Sequence, residues 1–428
     1  MKNRKRIGVA QIVLIVLISL LVGYWFGTIK VNFDWNNYHP VLNVIGKEPP
    51  SGVVNIDFNP FWNVWERLQA GYYDKSKLDQ QKMLNGAIQG MVQSLGDPFT
   101  MYLPPVQNDN FKQGLAGQFS GIGAELGIAS NNKDVIVIAP LDGSPAEKAG
   151  IKAGDTILRV DGQVVNGTDL TAVVNKIRGP KGTKVTLTVS HKDSNGKQQD
   201  ITITRDTITV KSVTDSIKTF NCSQTECKAS DDKSANTKIG YIRLSQFGDN
   251  TNQEWLAAVK DLNSKMAYDK NVKGIILDLR NNPGGYLTDA TFVAGEFLPQ
   301  GTPVVIQDDG QGNTKTLSVD RTGTLLNVPL IVLINKGSAS ASEIVSGALR
   351  DNKRAKLVGD TSFGKGTIQQ AEDLGDGAGL HVTIAKWLTP NKTWVNGKGL
   401  TPDVSVSLDP KDPSRDTQLE KGVYELVK

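Results

Sequence analysis

Ser340 lies in the run Asn335-Lys336-Gly337-Ser338-Ala339-Ser340-Ala341-Ser342-Glu343, directly after the apolar stretch Leu330–Ile334. The run reads as the opening of a helix. Small neighbours leave a hydroxyl approachable, and backbone N–H groups at a helix start can bind developing negative charge. Taken alone, such a run is more often capping or packing than catalysis. A serine nucleophile also needs a base. The chain has three histidines, His39, His191 and His381, and none sits in a glycine-rich turn. His191 borders a polar hairpin and His381 falls in an apparent strand, residues 380–387, so a Ser–His–Asp triad fits poorly. Lysine can replace histidine if burial disfavours its ammonium form. Lys365, in Thr361-Ser362-Phe363-Gly364-Lys365-Gly366-Thr367-Ile368-Gln369, has glycine on both sides and Phe363 close by to exclude water. Residues 359–365 have Walker A spacing, but Gly366 stands where Ser or Thr would hold magnesium, which argues against nucleotide binding. A third element, Leu279-Arg280-Asn281-Asn282-Pro283-Gly284-Gly285, comes after another apolar run, residues 274–279. Adjacent glycines at a strand end can present N–H groups to an oxyanion.

These groups need a scaffold. From residue 208 the chain reads as α/β, with a strand at 239–244 and an amphipathic helix marked by Trp255, Val259, Leu262 and Met266. The two apolar runs suit strands buried on both faces, each followed by a glycine turn and a helix. Residues 119–205 read instead as short strands, with Ile136 and Ile138 in one of them and others at 157–160 and 185–189. Ser144-Pro145 starts a short helix there. Thr168 is placed to cap a second, whose Leu170, Val173, Val174 and Ile177 form one apolar stripe. Residues 58–95 read as helical, with Met83, Ala87, Met91 and Leu95 at helical spacing, until Gly96-Asp97-Pro98 ends the pattern. Residues 30–56 lack a period and read as a tether.

The net charge is +4, and Lys2, Arg4, Lys5 and Arg6 account for it, so no basic face for nucleic acid is implied. Residues 7–29 carry no charge, long enough to cross a bilayer core, which takes about 20 apolar helical residues. The basic tip places the rest of the chain, beyond that run, outside the cytoplasm, and Tyr24, Trp25 and Phe26 suit an interfacial belt. A cleaved signal peptide is the competing reading, but those bulky residues occupy the stretch where small ones would precede the cut. Cys222 and Cys227, in an exported chain, read as a small disulfide loop stapling a surface insertion, residues 214–237. No further ligands stand near them for a metal.

Together, the serine run, the Gly-Lys-Gly-Thr element and the Asn-Pro-Gly-Gly turn resemble the carboxyl-terminal processing peptidases, a Ser–Lys protease family (S41) also called tail-specific proteases. The resemblance spans roughly residues 57–408, including Gly397-Lys398-Gly399-Leu400-Thr401-Pro402-Asp403. It implies an α/β fold: a crotonase- or ClpP-like protease core with an inserted PDZ domain that is β-rich with two helices. It implies Ser340 as nucleophile, Lys365 as base and Gln369 as the residue orienting that lysine. Ala341 and either Gly284 or Gly285 would supply the oxyanion donors. Phe119-Ser120-Gly121-Ile122-Gly123-Ala124 resembles a PDZ carboxylate-binding loop, as the Pro145 helix and the Ala153-Gly154-Asp155 turn resemble other parts of that domain. Gly121, Ile122, Gly123 and Ala124 would hold a chain-terminal carboxylate while the peptide adds a strand beside residues 124–128. Arg178, ending the second PDZ helix, is a regulatory candidate that could meet the peptide or the core.

The expected organisation is a cytoplasmic tip and anchor (1–29), a tether (30–56), a helical segment (57–112), the PDZ domain (113–207), the protease core (208–408) and a C-terminal tail (409–428). The expected protein is a single-pass cell-membrane serine endopeptidase with its catalytic domain outside the cytoplasm, acting on protein or peptide substrates with free C-termini. It needs no metal and no organic cofactor, and it binds no nucleic acid. The helical segment suits homo-oligomer assembly, as in some members of that family. The alternative is a non-catalytic envelope peptide-binding scaffold on the same fold, which would have no use for a Ser–Lys pair.

Overall fold

The computed structural model describes residues 17–19, 31–36, 39–44 and 56–428, apart from 130–133, 142, 192–196, 233–234, 270, 410–411 and 413–414. The chain divides into two units, Met1–Met83 and Leu84–Lys428. The expected anchor, residues 7–29, lies outside the described residues except for a helical 17–19. Among the described residues, no helix is long and apolar enough to cross a membrane.

In the first unit, β1 (Val31–Asn36) pairs antiparallel with β2 (His39–Val44), so the stretch read as a tether holds a hairpin. The stretch read as helical, 58–95, holds two α-helices with a short 3-10 turn between them. Helix α1 (Asn59–Gly71) stops at an extended Tyr72, and the Asp74 carboxylate caps a short turn before α2 (Gln80–Gln93). The α2 stripe is also displaced from the expected one. In the part of α2 that belongs to the second unit, and just past it, Met91 and Leu95 are exposed, whereas Val92 is buried and, with Ile88, packs on Tyr102 and Ala378 of that same unit. Strand β3 (Met101–Leu103) and helix α3 (Pro105–Leu115) come next.

The next segment comprises β4 (Gln118–Gly121), β5 (Ala124–Ile128), β6 (Val135–Pro140), α4 (Pro145–Lys148), β7 (Thr156–Val160), β8 (Gln163–Val164), α5 (Leu170–Ile177), β9 (Lys184–Ser190), β10 (Gln198–Thr204) and β11 (Asp206–Thr209). One antiparallel sheet runs β10-β9-β7-β6-β5, leaving β5 at its edge; β4 and β11 form a separate ribbon. Val135, Val137, Ile157, Val185, Leu187 and Val189 make a core of its own, so the inward side of β6 carries its valines while Ile138 is exposed. Thr168 is not the cap of α5. The helix starts at Leu170, which puts Asp169 at the cap, and its carboxylate accepts from the Ala172 N–H at 3.2 Å.

The remainder is β12 (Val213–Cys222), β13 (Cys227–Ala229), β14 (Thr237–Leu244), α6 (Thr251–Tyr268), β15 (Val272–Asp278), α7 (Leu287–Ala294), β16 (Pro303–Asp308), β17 (Thr314–Ser318), β18 (Leu330–Ile334), α8 (Ala341–Asp351), β19 (Lys356–Gly359), β20 (Thr367–Asp373), β21 (Gly379–Leu388), β22 (Val404–Ser405) and α9 (Thr417–Val427). The main sheet runs β13-β12-β14-β15-β18-β19-β22, parallel from β14 onward. Alternation along β15 sends Ile275 and Leu277 toward Trp255, Leu262 and Ile344 on one face, and Ile276 toward Leu419 and Val423 on the other. The expected C-terminal tail is therefore α9, which covers a sheet face. The expected surface insertion is likewise structural: β12 and β13 extend the main sheet, and the disulfide Cys222–Cys227 closes their turn. Their polar composition is that of an edge, which has one face and one side toward water. A second sheet runs β17-β16-β21-β20, with β3 pairing β21.

Candidate active site

Strands β15, β18 and β19 are consecutive neighbours in the main sheet, and ligands of open α/β sheets gather at such carboxyl ends. The glycine turn after β15, the serine run after β18 and the lysine loop after β19 consequently meet. Ser340, Lys365, Gln369, Gly284, Gly285 and Ala341 line a single cavity of about 460 Å³. Apolar walls come from Phe99, Phe111, Leu287, Ile344 and Trp387.

The three serines of the run have different tasks. The Ser338 hydroxyl donates to the Leu279 carbonyl at 2.8 Å, and that of Ser342 donates to the carbonyls of Asn282 (2.8 Å) and Ala339 (2.7 Å). Both residues are wholly buried and tie the serine run to the glycine turn. Ser340 alone of the three lines the cavity. Its φ of 53° and ψ of −116° place it in a strained region for a residue with a Cβ, at the cap of α8.

Glu343 locks this arrangement. Its carboxylate is fully buried and accepts from the amides of Ser340 (2.8 Å), Gly364 (2.7 Å) and Lys365 (2.9 Å) and from the Ser362 hydroxyl (2.6 Å). One side chain thus fixes the Ser340 turn against the lysine loop. The Ser-x-x-Glu spacing of a capping box is its visible signal, but nothing local marks its three distant partners, Ser362, Gly364 and Lys365. The lysine backbone is anchored again by Trp387, whose indole donates to the Lys365 carbonyl at 2.9 Å.

The Lys365 amine sits 5.1 Å from the centroid of the Phe99 ring. Burial pulls its proton affinity below that of an ordinary lysine, and the negative charges of Asp97 and Glu343 oppose this only in part. His381, a poor candidate in the sequence because it falls in a strand, does lie in β21 yet lines the same cavity, with Phe111 packed edge-on at 4.6 Å. Burial, and then the charge of Lys365, depress its pKa, so it stays neutral beside the lysine. Gln369 donates through Nε2 to the hydroxyls of Thr367 (2.9 Å) and Thr383 (3.0 Å).

In the glycine turn, the Gly284 N–H already donates to the Asn282 side chain at 2.9 Å. The Gly285 N–H has no acceptor among the described residues, and neither has that of Ala341, the first amide of α8. Gly285 has φ 139°, and a Cβ there would meet the Phe247 carbonyl oxygen at 1.6 Å, so only glycine fits.

The PDZ-type residues do not join this cavity. Gly121, Ile122, Gly123, Ala124 and Arg178 line a separate groove of about 150 Å³ between β5 and α5. The Ile122 and Gly123 carbonyls accept from Ala146 (2.8 Å) and Leu141 (2.9 Å), while their own N–H groups have no acceptor among the described residues. Arg178 lies just past α5 with its guanidinium 4.9 Å from the Phe119 ring centroid. His191 pairs with buried Asp155 at 2.8 Å in this domain. Among the described residues, no cluster of His, Cys, Asp and Glu is placed to hold a metal ion.

Residues 238–406 match the model of peptidase family S41, residues 136–190 a PDZ domain, and residues 49–105 the activating protease CtpB N-terminal domain. The carboxy-terminal processing protease CtpA of Bacillus subtilis is 35% identical over 351 residues, covering 82% of this chain and 69% of that one. The chain belongs to peptidase family S41. CtpB of Bacillus subtilis is 36% identical over 330 residues, 77% of this chain and 64% of its own. A probable CtpA-like serine protease of Staphylococcus aureus is 38% identical over 352 residues, 82% and 65% of the two chains. This S41 chain therefore spans about two thirds of the length of those relatives. The solved photosystem II D1 C-terminal processing protease superposes with TM-score 0.50 at 33% identity, covering 86% of this chain and 96% of that one. A putative S41 protease from Bacteroides fragilis shares the fold, with TM-score 0.54 at 16% identity over 86% and 94% of the two chains. The family makes this S41 chain a serine-type peptidase with a PDZ domain in a mixed α/β fold.

Proposed function

We propose that this S41 peptidase cleaves extracytoplasmic proteins near their C-termini by a Ser340–Lys365 dyad. The observation that carries the reading is the one cavity that holds the strained, accessible Ser340 together with a lysine amine whose proton affinity burial has lowered. Neutral Lys365 takes the proton of the Ser340 hydroxyl as the oxygen attacks the peptide carbonyl. The oxyanion is held by the amides of Ala341 and Gly285; Gly284 is the weaker candidate because its N–H is already engaged. The lysine returns its proton to the leaving amine, and water then hydrolyses the acyl-enzyme. Gln369, with Nε2 committed to two threonines, keeps Oε1 as an acceptor for the lysine amine.

The PDZ groove selects the substrate. Its edge strand β5 accepts a peptide as an added strand, and the Ile122 and Gly123 amides take the terminal carboxylate. Arg178, at the rim, reports occupancy to the core. Residues 7–29 anchor the chain in the membrane, and the helical region supports assembly into homo-oligomers. A fluorophosphonate probe tests the core of this reading. Labelling of Ser340 that disappears in Lys365→Ala supports the dyad. Labelling that persists unchanged in Lys365→Ala, or is absent from the native protein, sinks it and favours a peptide-binding scaffold.

A further inference from the structure

The turn that ends the helical region reaches the catalytic lysine. Asp97 accepts from the Phe99 N–H at 3.0 Å through Oδ1 and from the Thr100 hydroxyl at 2.7 Å through Oδ2. The Thr100 hydroxyl in turn accepts from the Thr383 N–H at 3.1 Å, and the Thr383 hydroxyl accepts from Gln369 at 3.0 Å. Strand β3 continues the turn and pairs with β21, setting Met101 opposite His381. A hydrogen-bonded path thus runs from Asp97 to Gln369, and Phe99 projects from the same turn to put its ring 5.1 Å from the Lys365 amine.

We propose that Asp97 is a positioning residue for Lys365: the Asp97–Thr100 turn sets the lysine against Phe99 and Gln369 and keeps one carboxylate acting on its amine. This rests on Lys365 being the base. Three titratable groups act on or respond to that amine from the elements packed around it: Asp97 on the turn, Glu343 on α8 and His381 on β21. His381 is held neutral, and the Glu343 carboxylate is spent on backbone amides and a hydroxyl, with the smaller influence of the two carboxylates. Burial works against the Asp97 charge, but hydrogen bonds from Thr383, Thr100 and the local amides outweigh it and keep this carboxyl below the usual range. A buried amine without such a partner would bind its proton too weakly to take one from serine. Asp97, and the Phe99 ring with it, favour the ammonium and so restore basicity.

The test is the pH dependence of kcat/KM for a fluorogenic peptide with a free C-terminus, in the full chain and in Asp97→Asn, Asp97→Glu and Phe99→Leu. Only the neutral amine is active, so the rate rises with pH through the lysine pKa. Removing the negative charge lowers that pKa. Asp97→Asn should move the acid limb down by about one pH unit, Phe99→Leu should move it the same way by less, and Asp97→Glu should restore the native profile. A turn that is only structural would lower activity equally at every pH, and an unmoved or raised limb in both Asp97→Asn and Phe99→Leu overturns the proposal. If Asp97→Asn does not fold, Phe99→Leu decides alone. Full activity in Lys365→Ala would instead overturn the dyad, so the two failures are distinguishable.

Discussion

Two glycine turns in this chain present amide N–H groups without acceptors among the described residues, and they are built differently. In the protease core, Gly285 and Ala341 are held by fully buried side chains: Asn282 donates to the Leu244 carbonyl and accepts from Gly284, and Glu343 gathers four donors. In the PDZ domain, the Ile122–Gly123 turn is held by two backbone bonds and by close packing of Gly123 on Ser144. The proposed ligands differ in the same sense. A carboxylate is a permanent charge that a turn can bind at leisure. An oxyanion exists only in passing, so its donors gain nothing from adjusting to it and must already be in place.

Substitutions can break or sharpen this contrast. Ser340→Ala and Lys365→Met should each abolish cleavage of a denatured reporter. Lys365→Met should also raise Tm at neutral pH. The folded protein binds that proton less tightly than the unfolded chain, so charging the amine costs stability at all pH values below the folded pKa. The cost is relieved as pH rises toward the ordinary lysine value of 10.5, where the two proteins should converge. Glu343→Ala leaves four donors facing a void and should cost about 3 kcal/mol or more in urea unfolding, with loss of Ser340 labelling. Gly285→Ala, blocked by the Phe247 carbonyl, should lower kcat by about 10²- to 10³-fold with little change in KM. Gly123→Ala should have the smallest effect. With φ +74° and a Cβ 2.5 Å from that of Ser144, it should raise KM by roughly tenfold for free C-termini while leaving kcat and the cleavage of amidated peptides unchanged. An equal loss for both peptide forms would remove the PDZ turn from substrate selection.

Much of the site was legible in the chain. The apolar runs at β15 and β18 signal strands buried on both faces, and the glycine turn and serine run directly after them are contiguous motifs. Local reading failed where burial or charge came from elsewhere. Met91 and Leu95 have helical spacing, yet the face that packs is set by Tyr102 and Ala378. Polar β12 and β13 look like an insertion because an edge strand needs few apolar residues. His381 looks unpromising in a strand, although a strand turns every second side chain to one face, and that face can line a cavity.

The sequence by itself determined the chemical inventory: a serine among small residues, a lysine between glycines, paired glycines after an apolar strand, and a PDZ-like turn. Tertiary structure decided which serine is accessible, which glycine amide is unengaged and which carboxylates act on the lysine. Those are properties of contacts between strands far apart in the chain, since a hydroxyl, an amide or an amine acquires its acceptors, its dryness and its neighbouring charge only when the carboxyl ends of β15, β18 and β19 come together.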